Sequence, residues 1–138
     1  MRVVYIMRGL PGSGKSTRAR QIVGPYGLVA STDDWFVGAD GVYRYDPEKA
    51  GVAHEWNQRR FRAAVAAGVP VIAVDNTNVL VAHYTPYAAF AEAAGYEVRV
   101  VLVPTLLSDE ELAARTTHGV PVETIRRMRD LFESEVSH

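Results

Sequence analysis

An α/β fold of three layers, built on a mainly parallel sheet of about four strands, is what the 138-residue sequence predicts. Three observations lead there. Short apolar runs of strand length alternate with segments of helical character, the pattern of βαβ units rather than of hairpins. Two of the runs end in polar, acid-bearing clusters, Ser31-Thr32-Asp33-Asp34 and Asp75-Asn76-Thr77-Asn78. A glycine-rich loop stands between the first run and the first helix.

Taken in order, Val3-Val4-Tyr5-Ile6-Met7 is a continuous apolar run suited to a strand covered on both faces. After the glycine loop a helix is expected over 15–23, and a second strand over 28–30. A loop rich in aromatic residues, 35–45, crosses to the next helix. Asp46-Pro47-Glu48 starts that helix, because Asp caps free N–H groups and Pro at the first position has no N–H to orphan. It is expected to run to Ala67, with Gly68 closing it. Residues 71–74 form a third buried strand, 86–94 a helix closed by Gly95, and 98–103 a fourth strand. Ser108 and Glu111 make a capping box for a short helix reaching about Thr116. The last helix starts near Pro121 and sets Ile125, Met128, Leu131 and Phe132 on one face. Arg126, Arg127 and Arg129 fall off that face and read as solvated surface. Parallel strands with right-handed crossovers place ligands at the carboxyl ends of the strands.

Composition narrows the chemistry. The chain is about half apolar, with 22% charged residues and a formal charge of −1, the profile of one soluble globular domain. At this length folding buries roughly two-thirds of the surface that the unfolded chain exposes. Cysteine is absent, which excludes thiol catalysis, disulfides and cysteine-bound metal. The short apolar runs and the character of the N-terminus give no membrane span and no secretory signal, so a cytoplasmic location is expected. Near-neutrality argues against binding long nucleic acid by phosphate neutralisation. The charge is uneven, however: residues 1–62 carry ten basic and six acidic residues, and residues 63–138 five and ten.

Gly9-Leu10-Pro11-Gly12-Ser13-Gly14-Lys15-Ser16-Thr17 matches the P-loop pattern in full, between strand and helix as the mechanism requires. The expected class is therefore a P-loop NTPase fold. Its glycines let backbone N–H groups close around phosphate, and the helix N-terminus adds positive potential. Lys15 is placed to reach the β- and γ-phosphates of ATP, and Ser16 to ligate Mg²⁺. Val71-Ile72-Ala73-Val74-Asp75 has the form of a Walker-B strand, which makes Asp75 the second candidate Mg²⁺ residue. Asp33 and Asp34 reach the same sheet edge, where an acid can take the proton of an attacking hydroxyl; capping of the next turn is the alternative for all three acids. Arg115 precedes Thr116-Thr117-His118-Gly119-Val120-Pro121, a segment able to close as a lid. A solvated arginine at a helix end fits that position equally.

In order and spacing, the GLPGSGKST loop, the STDDWF and VDNTN strand ends, the AHEWNQRR helix and the ARTTHGVPVETIRRM tail resemble the 5′-polynucleotide kinase domain. This is a P-loop phosphotransferase related to adenylate kinase and found as the kinase half of phage end-repair enzymes. The resemblance implies a helical lid over about 108–121 and residues 9–17 on ATP. It puts Asp33 in the place of the general base, Arg115 on the ATP phosphates, and His118 as a second basic lid residue whose charge depends on pH. Asp75 matches an acid lining the active-site tunnel. One departure stands out. Phage members carry an Arg three residues after the catalytic Asp, where this chain has Phe36.

The expected activity is transfer of the γ-phosphate of ATP to a hydroxyl, with the 5′-OH of a nucleic-acid end as the leading acceptor. Asp34, Trp35, Arg44 and Arg59 are the candidate acceptor-binding residues. Trp35 and Phe36 are open between stacking on a base and buried packing, and either Arg44 or Arg59 could replace the missing Arg. A nucleoside, modified base or small metabolite is the alternative acceptor; an ATP-binding module acting through a partner is a third reading. A length of 138 residues leaves room for the kinase fold alone, so no fused phosphatase or ligase is expected within it.

Overall fold

The computed structural model describes residues 1–136. Its centre is a four-stranded sheet in the order β2-β3-β1-β4, with β1 at Val3–Arg8, β2 at Leu28–Ala30, β3 at Val71–Asp75 and β4 at Glu97–Leu102. All neighbours are parallel, with Val3 opposite both Val71 and Glu97, and Met7 opposite Asp75. β1 and β3, the inner strands, are apolar along almost their whole length because helices cover both of their faces.

One face carries α1 (Lys15–Val23), whose Ala19 and Val23 pack with Met7 and Ala73. The other carries α2 (Ala50–Ala66) and α3 (Val81–Ala93). There Phe61, Ala64, Tyr87 and Ala91 close on Val4, Ile6, Ile72 and Val74. A third cluster joins Leu10 to α4 (Asp109–Arg115) and α5 (Val122–Val136) through Leu112 and Ile125. The three layers and the parallel sheet are those the sequence predicts.

Several boundaries differ from expectation. Asp46 does cap, accepting from the Glu48 amide at 3.0 Å, but Pro47–Lys49 form a separate 3₁₀ turn before α2 begins. α3 starts at Val81 rather than Pro86, and Pro86 lies inside it. In the second turn the proline removes a single ladder bond, and the Thr85 hydroxyl turns back to Val81 O at 2.8 Å. Leu131, expected on the apolar face of α5, is 46% exposed. Arg129 is not solvated surface: it donates to the Asp109 carboxylate and to Leu107 O, both at 2.8 Å, and so ties α5 to the start of α4.

Candidate active site

Residues 9–17 join β1 to α1. Gly12 and Gly14 hold φ of 82° and 92°, a left-handed conformation that costs an ordinary L-residue roughly 1–2 kcal/mol. No side chain caps α1, so its first-turn N–H groups stay available to an anion. The Ser13 hydroxyl is buried with no hydrogen-bond partner among the described residues. Unspent donors around a glycine turn suit a polyphosphate. Lys15 opens α1 and sets its Nζ 3.0 Å from Oδ1 of Asp75 at the end of β3. The side chains are 11% and 5% exposed, so each charge is matched by the other.

The second acidic strand end is pinned from two sides. After β2, residues Thr32–Phe36 form a 3₁₀ turn. The Thr32 amide donates to Oδ1 of Asn76 at 3.0 Å, which links this turn to the end of β3. Asp34 accepts from Arg60 of α2 at 3.0 Å. Between these, the exposed Asp33 carboxylate accepts from the Tyr43 hydroxyl at 3.2 Å. His118 Nε2 lies 3.9 Å from its other oxygen, and the His118 ring stacks on Tyr43 with centroids 3.8 Å apart. Burial, then the charge of Asp33, pushes the Tyr43 phenol far above its ordinary range, so it stays protonated and able to donate. The His54 ring nitrogen lies 3.4 Å from the Thr32 hydroxyl. Burial first, then the charge of His83, lowers its pKa.

The segment 108–121 reaches both parts of the site. Its capping box forms in both halves, Glu111 N to Ser108 Oγ at 3.1 Å and Ser108 N to Glu111 Oε1 at 3.2 Å. Leu112 is fully buried, and its carbonyl oxygen comes so near Gly12 that a Cβ there would sit 2.5 Å away. At the other end His118 reaches Asp33. Arg115 ends α4, exposed and without hydrogen bond or ion pair among the described residues.

The remaining expected residues are placed as follows. Gly9 donates to Thr77 O at 3.1 Å; Pro11 is half-buried beside it, and Ser16 and Thr17 are exposed on the first turn of α1. Trp35 is half-buried, edge-on to Phe36 at 5.2 Å. Phe36 is 6% exposed and packs on Tyr43 and Tyr45, so of its two readings buried packing is what the structure has. Arg44 pairs locally with Asp40 at 2.7 Å, and Arg59 with Glu55 at 2.6 Å. Sequence reasoning missed Tyr43, Asn57, Arg60, Asn76 and Asn78. One signal was present: Asn57 falls in register with Ala53, Phe61 and Ala64 on the buried face of α2, and a polar residue in an apolar stripe needs partners.

No cluster of three or more His, Asp or Glu that could hold a metal occurs among the described residues. Nor is any described helix long and apolar enough to cross a membrane.

A parallel sheet, a glycine-rich P-loop between its first strand and first helix, and a buried Lys–Asp pair at the sheet edge define a P-loop NTPase domain. The chain belongs to the AAA domain family (AAA_33), whose model matches residues 4–134. It is 40% identical to NEDD4-binding protein 2 of Homo sapiens over 98% of this chain and 8% of that protein. It is 28% identical to YLP motif-containing protein 1 of Homo sapiens, over 99% of this chain and 8% of that one. The chain thus spans less than a tenth of the length of these two relatives. Among solved structures it resembles a chain of the Pnkp1/Rnl/Hen1 RNA repair complex, with a TM-score of 0.69, 20% identity and coverage of 99% of this chain and 45% of that one. It also resembles the Mycobacterium tuberculosis APS kinase CysC in complex with AMPPNP and APS, with a TM-score of 0.52, 18% identity and coverage of 96% and 97%. At these identities the likeness is one of fold.

Proposed function

We propose that this domain is an ATP-dependent kinase whose acceptor is the 5′-hydroxyl of a nucleic-acid end. One observation carries the reading: a single segment, 108–121, touches the phosphate loop through Leu112 and Asp33 through His118, so the donor loop and the candidate base share one lid. Residues 9–17 hold the ATP phosphates, with Lys15 exchanging Asp75 for phosphate oxygens. Asp33 takes the proton of the acceptor hydroxyl, whose oxygen bonds to the γ-phosphorus as the bond to the β-phosphate oxygen breaks and ADP leaves. Arg115 and Lys15 meet the charge on the transferring group. Ser16 and Asp75 are the residues that would hold Mg²⁺, which supplies charge neutralisation on the phosphates when bound. The cytoplasmic setting expected from the sequence belongs to the same proposal.

A second acceptor class, a nucleoside or other small hydroxyl compound, is favoured by one observation. Phe36 is buried where the phage enzymes carry a phosphate-gripping Arg, while Arg44 and Arg59 are engaged in local pairs. The test is label transfer from γ-labelled ATP to 5′-hydroxyl DNA and RNA oligonucleotides beside a nucleoside panel, with the wild type and Asp33→Asn. Labelled oligonucleotide lost in Asp33→Asn, with ATP binding near normal, supports the first reading. Labelled nucleoside alone supports the second, and free phosphate alone overturns both in favour of an ATP-binding module.

A further inference from the structure

Arg60 lies outside every motif that marks the phosphate loop and the acidic strand ends, yet its side chain ends at one of them. From the fourth turn of α2 its terminal Nη2 reaches three oxygens: Ser31 O at 3.0 Å, Asp34 Oδ2 at 3.0 Å and Asn57 Oδ1 at 3.1 Å. Two hydrogens shared among three acceptors fix the nitrogen in place rather than let it swing. The guanidinium also lies over the Trp56 ring, 4.3 Å from its centroid, an attraction open to Arg and Lys but geometrically suited to the flat guanidinium.

Its anchor is as firmly held. Asn57 is fully buried, and its Nδ2 donates both to Ala30 O, the last residue of β2, at 3.3 Å and to the Tyr87 hydroxyl at 3.1 Å, which leaves Oδ1 for Arg60. One contact of Arg60 is therefore to the core, and two are to the residues that flank Thr32 and Asp33. Meanwhile Arg60 Nε is buried with no hydrogen-bond partner among the described residues. A residue kept with an unpaired buried donor breaks a local rule of packing, and such breaks concentrate where function needs a geometry.

We infer that Arg60 is a positioning residue: it clamps the 31–34 turn to α2 from both sides of Asp33 and so aims the carboxylate at the acceptor. This rests on Asp33 being the base of the proposed reaction. It also gives Asp34 a different task from acceptor binding, since its carboxylate is the handle the clamp holds.

The experiment pairs steady-state kinetics with backbone amide exchange in wild type, Arg60→Ala and Asp34→Asn. Asp34 is exposed, so Asp34→Asn tests the clamp even if Arg60→Ala fails to fold. The clamp predicts a fall in kcat of about a hundredfold in Arg60→Ala and a smaller fall in Asp34→Asn, KM for ATP and acceptor unchanged. It also predicts faster exchange at 32–36 with α2 unaltered, and partial recovery of Arg60→Ala by added guanidinium. Wild-type kcat, or a rise in acceptor KM alone in Asp34→Asn, overturns it. If the wild type phosphorylates no acceptor, the kinase reading fails by itself and exchange decides the clamp: unchanged protection at 32–36 in both variants rejects it, and faster exchange there sustains it.

Discussion

The ammonium of Lys15 sits 3.0 Å from the carboxylate of Asp75, and the two are almost wholly enclosed between the phosphate loop and the end of β3. Removing one partner strands the other's charge, which typically costs about 3 to 5 kcal/mol for a buried pair. Asp75→Ala is expected to lower the stability of the nucleotide-free protein by about 3 kcal/mol, the lower end because the long Lys15 side chain can turn toward solvent, and Lys15→Ala by about 3 to 5 kcal/mol, because the Asp75 carboxylate is left enclosed. The double variant should lose much less than the sum. Urea unfolding of the four proteins measures this, and additive losses would mean that the pair is not coupled. ATP with Mg²⁺ should restore part of the stability of Asp75→Ala but not of Lys15→Ala, because only the former keeps a cation for phosphate.

Gly12 and Gly14 share a left-handed backbone but not their surroundings. A Cβ on Gly14 meets nothing within 4 Å, whereas one on Gly12 meets the backbone oxygen of Leu112 at 2.5 Å. Gly14→Ala is thus expected to cost only its backbone strain, about 1 to 2 kcal/mol. Gly12→Ala must in addition push α4 off the loop and disturb the Leu10, Leu112 and Ile125 cluster. Chemical denaturation should rank Gly12→Ala as the more damaging; equal losses would show that α4 yields freely.

Asn78 combines two demands. Its φ is 47°, and its side-chain amide donates to Met7 O at 2.7 Å, just ahead of the phosphate loop. Asn78→Gly keeps the conformation and leaves the Met7 carbonyl short of a donor, a loss of about 1 to 3 kcal/mol. Asn78→Ala adds left-handed strain of roughly 1 kcal/mol or more. The expected order of stability is wild type, then Gly, then Ala, the reverse of the usual preference for Ala over Gly. An Ala variant as stable as the Gly variant would remove strain from the account.

His54 ties stability to mild acid. Burial and the nearby His83 depress its pKa in the folded state, so between the ordinary value near 6.5 and the lowered one the unfolded chain binds a proton that the folded chain does not. The contribution is fully present above about pH 6.5 and is lost as the pH falls through that window. His54→Gln should therefore flatten the decline of Tm between pH 7 and pH 5. An unchanged slope would mean that His54 titrates alike in both states.

Much of the architecture was readable from short stretches. The bounds of α1 and β2, the glycine loop and the Ser108–Glu111 capping box emerged where expected, because each depends on residues within a few positions of one another. Errors came where distant packing outweighed a local signal. Pro86 reads as a helix start, but α3 extends a turn and a half before it. Arg129 reads as surface, yet Asp109, twenty residues away, claims it.

The amino-acid order alone was enough for the phosphate loop, for the acids at two strand ends and for the alternation that builds a parallel sheet, since spacing and residue type carry those. Which side chains meet was settled by the fold. Lys15 finds Asp75 across 60 positions, Arg60 finds Asp34 across 26, and Tyr43 finds both Asp33 and the His118 ring. Such pairings depend on strand register, helix rotation and the closing of α4 on the loop, which are properties of the packed core as a whole. Residue type and spacing therefore marked the candidate site, and tertiary packing decided which of its charges meet.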